Sequence, residues 1–194
     1  MVRQVGILLR KVCERMQKFF ILDRKLGKIF VLSSRDDISR GSLMMYSVSS
    51  NRTSCNINNI DVLDLPLIQS VADLTFFHQV LELCYYFIPF GKGTTDIFEL
   101  LLFLYVSFES LNTQLCKKLF LCKFFAHLGF YPHEEQPHLQ TFRLVRSQYI
   151  DALIKKPIDL SLERKLDQWL DYCISMHPCS DSFRTVSFFM SRKS

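Results

Sequence analysis

The sequence predicts an α+β protein in which a small five-stranded antiparallel β-barrel is followed by an all-α helical domain. Three observations carry this. Up to residue 65 apolar residues come in short stretches bounded by polar clusters; beyond Pro66 they recur at steps of three and four; and positive charge is concentrated near the N-terminus. The expected domains are therefore 1–66 and 67–194.

The expected strands are Val5–Arg10, Phe19–Leu22, Ile29–Leu32, Leu43–Val48 and Ile57–Leu65. The segment Asp23-Arg24-Lys25-Leu26-Gly27-Lys28 supplies a turn whose glycine tolerates positive φ, so the second and third strands form a hairpin. Ser47–Asn59, rich in Ser and Asn, reads as a loop around a weak or edge strand. A barrel suits so short a sheet, because closure removes its exposed edges.

The first helix carries Val71, Leu74, Phe77, Leu81, Leu83, Cys84 and Phe87 and ends at Pro89, Gly91 and Gly93. A second starts at the capping-box-like pair Asp96/Glu99, contains the apolar run Leu100–Val106 and ends near Ser110. Its all-round apolar character makes it central. A third runs from Asn112 as N-cap to Leu128, with Gly129 just past its end and Pro132 beyond. Further helices are expected at Ser147–Ile154, at Ser161–Met176 with Trp169 on the buried stripe, and at Asp181–Met190, with Lys155-Lys156-Pro157 separating the first two.

At 194 residues, 48% hydrophobic and 22% charged, the chain has the composition of a folded protein that needs no disulfide staples. Its net charge of +5 is unevenly spread. Residues 1–40 hold ten basic against four acidic side chains, a net of +6, which leaves 14 against 15 in residues 41–194, a net of −1. Such asymmetry is expected where one part touches a polyanion, and equally from a solvated basic face. Arg10 and Lys11 interrupt the N-terminal apolar stretch, and Leu100–Val106 is far shorter than the ~20 residues of a membrane span, so a cytoplasmic protein without a membrane partner is expected. The seven scattered cysteines read as buried thiols.

Most enzymatic chemistry lacks its signature. Gly91-Lys92-Gly93-Thr94 is too short of glycines to cradle a phosphate and reads as a turn between helices. In His133-Glu134-Glu135-Gln136-Pro137-His138 the histidines are five apart and Pro137 breaks the helix that a zinc protease would need. A metal enzyme would require Cys122, His127, His133 and His138 to converge, without a Cys-x-x-Cys pair to start from. His78 and His177 stand alone and read as ordinary hydrogen-bonded histidines. The expectation is a non-enzymatic protein with no cofactor and no metal.

Binding chemistry is better represented. Arg10, Lys11, Lys18, Arg24, Lys25, Lys28, Arg35 and Arg40 interleave with the first three strands, and on a barrel they are expected to converge on loops and one edge as a groove for a phosphate backbone. Phe19, Phe20, Phe30 and Tyr46 are candidate stacking surfaces. Phe19 and Phe30 are expected in the core; of Phe19 and Phe20 one must point outward, because successive strand residues alternate faces.

The order of parts resembles a known family. Gly6-Ile-Leu-Leu-Arg10, Leu26-Gly27-Lys28-Ile29 and Ser34-Arg35 precede Ile97-Phe-Glu-Leu-Leu-Leu-Phe-Leu104 and Leu119-Phe-Leu-Cys-Lys-Phe-Phe-Ala-His-Leu-Gly-Phe-Tyr-Pro132. Together these motifs resemble bacterial RecO, a mediator of DNA repair and recombination, over nearly the whole chain. The resemblance implies an OB-fold at the N-terminus and binding of single- and double-stranded DNA. It also implies strand annealing and contacts with RecR and with the acidic C-terminal tail of single-strand-binding protein, so that recombinase can load. Such a tail would want an apolar slot rimmed by cations, for which Leu115, Leu119 and Phe120 beside Lys117, Lys118 and Lys123 are the candidates. Those lysines are equally readable as the solvated face of an amphipathic helix. The chain departs from the family in two places. No cysteine cluster follows Pro132, and Ser33-Ser34-Arg35-Asp36-Asp37 stands where many members have Lys-Gly-x-Arg. Beside the DNA-binding expectation stands a helical adaptor that binds only protein, its basic sheet serving solubility.

Overall fold

The computed structural model describes residues 3–13, 18–35, 37–50, 55–65, 71–106, 113–131 and 160–183. Strands β1 (Arg3–Cys13), β2 (Lys18–Asp23), β3 (Gly27–Ser33), β4 (Leu43–Ser50) and β5 (Cys55–Asp64) close into a barrel in the order β1-β2-β3-β5-β4. All five expected strands are present, and β2 and β3 form the expected hairpin. The sheet is mixed instead of antiparallel: β3 and β5 run parallel at Leu32↔Asn56 and Ser33↔Ile57, while the other neighbours are antiparallel. The reason is geometric. A closed ring with an odd number of strands cannot alternate direction all the way round, so at least one neighbouring pair must be parallel.

Leu8, Phe19, Ile21, Val31, Met44, Tyr46, Ile57 and Ile60 fill the barrel. Phe19 therefore lies inside as expected. Tyr46, a candidate stacking surface, is also wholly buried in the barrel core, and so is not available for stacking. At the closed end of the β2–β3 hairpin, the Asp23 carboxylate accepts the Tyr46 hydroxyl at 2.6 Å through Oδ2, and the backbone N–H groups of Lys25 and Leu26 at 2.8 Å each through Oδ1. Burial, reinforced by the Asp23 charge, holds the Tyr46 phenol far above its ordinary pKa, so it stays a neutral donor. Gly6 pairs with Asp23 across β1 and β2. A Cβ there would fall 2.5 Å from Ile21 Cγ2 and 2.9 Å from the Tyr46 hydroxyl.

Packing groups the described helices with two compact units, Met1–Val106 and Ser107–Ser194. The change of period at residue 66 marks the change from strands to helices, and the first two helices belong with the barrel. In that unit α1 (Val71–Phe87) packs on β1, whose Ile7 and Leu9 are buried although they alternate with Leu8. α2 (Thr95–Val106) opens on the Thr94 carbonyl, which accepts from Phe98 N at 2.9 Å, so Asp96 lies inside the first turn and is not its cap. Glu99 reaches Arg24 at 2.6 Å instead of closing a capping box.

In the second unit, α3 (Gln114–His127) is capped by Thr113, whose hydroxyl accepts from Cys116 N at 3.2 Å. The expected cap, Asn112, lies outside the described residues. Gly129 follows the helix with φ 89°, as expected of its C′ position. α4 (Leu160–Ser175) buries Trp169 edge-on against Phe125, with ring centroids 6.1 Å apart. A short 3-10 turn occupies Ser180–Ser182. The helix expected at Ser147–Ile154, the Lys155-Lys156-Pro157 segment and most of the helix expected at Asp181–Met190 lie outside the described residues. Among the described residues no helix is long and apolar enough to cross a membrane.

Tyr46→Phe removes one of the three donors to a buried carboxylate. Urea denaturation is expected to show a loss of about 1–3 kcal/mol, with the spectrum of the folded state retained.

Candidate nucleic-acid interface

The outward face of β1, β2 and β3 carries a row of side chains set by register. Arg10 pairs with Phe20, and Phe20 pairs with Phe30. Strict alternation from Leu8, which points into the barrel, would send Arg10 inward as well. A register shift between Leu8 and Arg10 inserts Leu9 as an extra residue, and Arg10 emerges exposed opposite Phe20. Phe20 points outward because Phe19 and Ile21 point in. Phe30 is 41% exposed, which corrects the expectation that it fills the core: Val31 is the inward residue, and its neighbour must face the other way.

The end of α1 and the segment after it complete this face. The Tyr85 ring meets Phe20 edge-on at 5.0 Å, and Phe90, 58% exposed, lies 5.8 Å from Phe20. Phe30 also lies 5.1 Å from Phe20. The Arg10 guanidinium stands 4.8 Å over the Tyr85 ring. A run of aromatic rings flanked by a cation thus crosses the outside of the barrel. Tyr85 and Phe90 are absent from the sequence-derived candidates. The aromatic density of Tyr85-Tyr86-Phe87-Ile88-Pro89-Phe90 was their available signal, and it was absorbed by the reading of that segment as a helix end.

The eight candidate cations do not converge on one edge. Arg10, Lys11 and Lys18 cluster where β1 ends and β2 begins, with Lys11↔Phe19 and Cys13↔Lys18 in register. Arg24 and Lys25 lie at the opposite end of β2, in the hairpin turn. A two-stranded hairpin necessarily places residues before β2 and after β2 at opposite ends. Four of the eight are used within the fold. The Lys28 ammonium is buried and donates to the Tyr85 carbonyl at 2.5 Å. Arg35 pairs with Asp37 and donates to the Ile60 carbonyl at 2.8 Å. Arg40 donates to the Leu9 carbonyl at 2.9 Å and to the His78 carbonyl at 3.2 Å, and burial pulls its pKa below the ordinary arginine value. Since Leu9 is the inserted residue, Arg40 satisfies a carbonyl at the site of the bulge. Arg24 is paired with Glu99. Lys18 and Lys25 make no ion pair among the described residues.

The residues considered for a protein partner are engaged inside the helical unit. Leu119 and Phe120 are wholly buried, Lys117 is buried and Leu115 half-buried. Lys118 is gripped by Glu163 at 2.7 Å and Asp167 at 2.9 Å. Burial opposes its charge, but the two carboxylates outweigh that and hold its pKa above the ordinary lysine value. Lys123 is half-buried, and burial lowers its pKa. Cys122 is wholly buried with its thiol pushed up by desolvation; His133 and His138 lie outside the described residues. Among the described residues, no group of three or more His, Cys, Asp or Glu gathers as a metal site.

Arg40→Gln removes the paired donor from the bulge and from α1, and a loss of about 2–3 kcal/mol in chemical denaturation is expected. Lys25→Ala, at an exposed residue of the hairpin turn, is expected to change stability by no more than about 0.5 kcal/mol in the same assay. Compared with known protein families the chain matches none, and no curated protein matches it in sequence.

Proposed function

We propose that this chain binds single-stranded DNA through an OB-type barrel and acts as a RecO-like mediator of recombinational repair. The observation that carries the reading is the Arg10–Phe20–Phe30 row, an aromatic surface with a cation on the outward side of three adjacent strands. The strand order β1-β2-β3-β5-β4 supports an OB-type connection, and that fold uses the face of its second and third strands for oligonucleotides. Stacking rings take any base by its π-face, and single strands leave those faces available. Arg10, Lys11, Lys18 and Lys25 are the cations offered to phosphates, which supply affinity with little sequence preference.

The test is titration of a labelled oligothymidylate at two salt concentrations. Affinity is expected to fall as salt rises, and the Arg10/Lys11/Lys18/Lys25→Ala variant is expected to bind more weakly with a slope flattened by up to about 3, from about 0.7 per phosphate contact. Phe30→Ala is expected to lose about 1–3 kcal/mol of binding free energy without changing the slope. Absence of binding at low salt refutes the reading. Binding of apolar peptides, indifferent to salt, would favour the protein-only adaptor.

A further inference from the structure

We infer that Phe90, supplied by the connection between α1 and α2, is a base-stacking residue of this interface and that Lys28 is the positioning residue that holds it there. The inference rests on the proposed binding of single-stranded nucleic acid and assigns part of that site to residues outside the barrel strands. Phe90 is largely exposed in a connection, yet it is fixed from several directions. Its backbone forms a parallel bridge with Lys28, and the Gly91 N–H donates to the Lys28 carbonyl at 3.1 Å. The Lys28 ammonium sits 4.6 Å over the Phe90 ring and 5.4 Å over the Tyr85 ring while donating to the Tyr85 carbonyl. Gly27, at φ 74°, lets the next part of the connection approach: a Cβ there would overlap the Lys92 carbonyl oxygen at 1.9 Å.

Phe90, Phe20 and Phe30 consequently form a continuous run with Phe20 in the middle, its ring tilted by about 50° to each neighbour. The two outer rings are the more exposed, so each offers a face to a base, and the ligand is a single strand long enough to place bases on both. Lys28 is 6% exposed, and its ammonium is occupied by a carbonyl and two rings. Burial lowers its pKa, because desolvation disfavours the ammonium form. A phosphate contact by Lys28, expected from the sequence, would require that network to open.

The experiment is a double-mutant cycle on the full chain, titrating the labelled oligothymidylate at two salt concentrations. Phe90→Ala is expected to weaken binding by about 5-fold to 100-fold with the salt slope unchanged, and Phe90→Trp to bind within about 3-fold of the parent. Lys28→Met is expected to weaken binding without flattening the slope, and to have no further effect when Phe90 is already Ala. Parental affinity in Phe90→Ala, or equal losses in the Ala and Trp variants, overturns the stacking role. A slope flattened by about 0.7 in Lys28→Met, or additive losses, overturns the positioning role. If Lys28→Met does not fold, Lys28→Gln, which keeps a donor for the Tyr85 carbonyl but places no charge over the rings, replaces it in the cycle with the same expected outcomes. A parent chain that does not bind refutes the proposed function, whereas a binding parent with indifferent variants refutes this assignment alone.

Discussion

The barrel depends on one buried carboxylate. Asp23 lies in a space from which water is excluded, and its burial is tolerable only because one hydroxyl and two backbone N–H groups donate to it. Those donors come from β4 and from the β2–β3 turn, and β1 has to pass them with a glycine. A single polar centre thus ties the hairpin to the opposite wall of the barrel. It also pins the hairpin register, and a slip by one residue would exchange Phe19 with Phe20 and Phe30 with Val31.

A second constraint acts on the same face. The bulge at Leu9 turns Arg10 outward, and the Leu9 carbonyl is satisfied by Arg40, whose other hydrogen bond reaches α1. Lys28 plays a comparable part at the far end of α1 by holding the Tyr85 carbonyl. Both cations are internal ties between barrel and helix. The net charge of +6 in the first forty residues therefore overstates what this unit offers to a polyanion. Arg24, Arg35, Lys28 and Arg40 are committed to partners on the chain, and the exposed charge is carried by fewer residues at two ends of β2.

Much of the fold was legible because period is a local property. All five strands and the first three helices follow from apolar spacing and from Gly and Pro punctuation. The third helix start was missed by one residue, since Asn112 and Thr113 are both good caps and only the hydrogen bond to Cys116 N distinguishes them. The parallel β3–β5 pair was missed for a different reason: it follows from closing a ring of five, not from any residue. Phe30 is exposed although large apolar side chains are expected to be buried, because alternation from the inward Val31 turns it to the other face.

By itself the sequence determined the strand and helix segments, the hairpin turn and the uneven charge, since each depends on residues close together in the chain. Tertiary structure alone decided which cations remain for a ligand and which rings form a surface. Ion pairs and hydrogen bonds form between residues such as Lys28 and Tyr85, or Arg40 and Leu9, that are remote in sequence and have no local signature. The same holds for the aromatic row, which a one-residue insertion in β1 and a helix end brought across from residues 85–90 assemble in space.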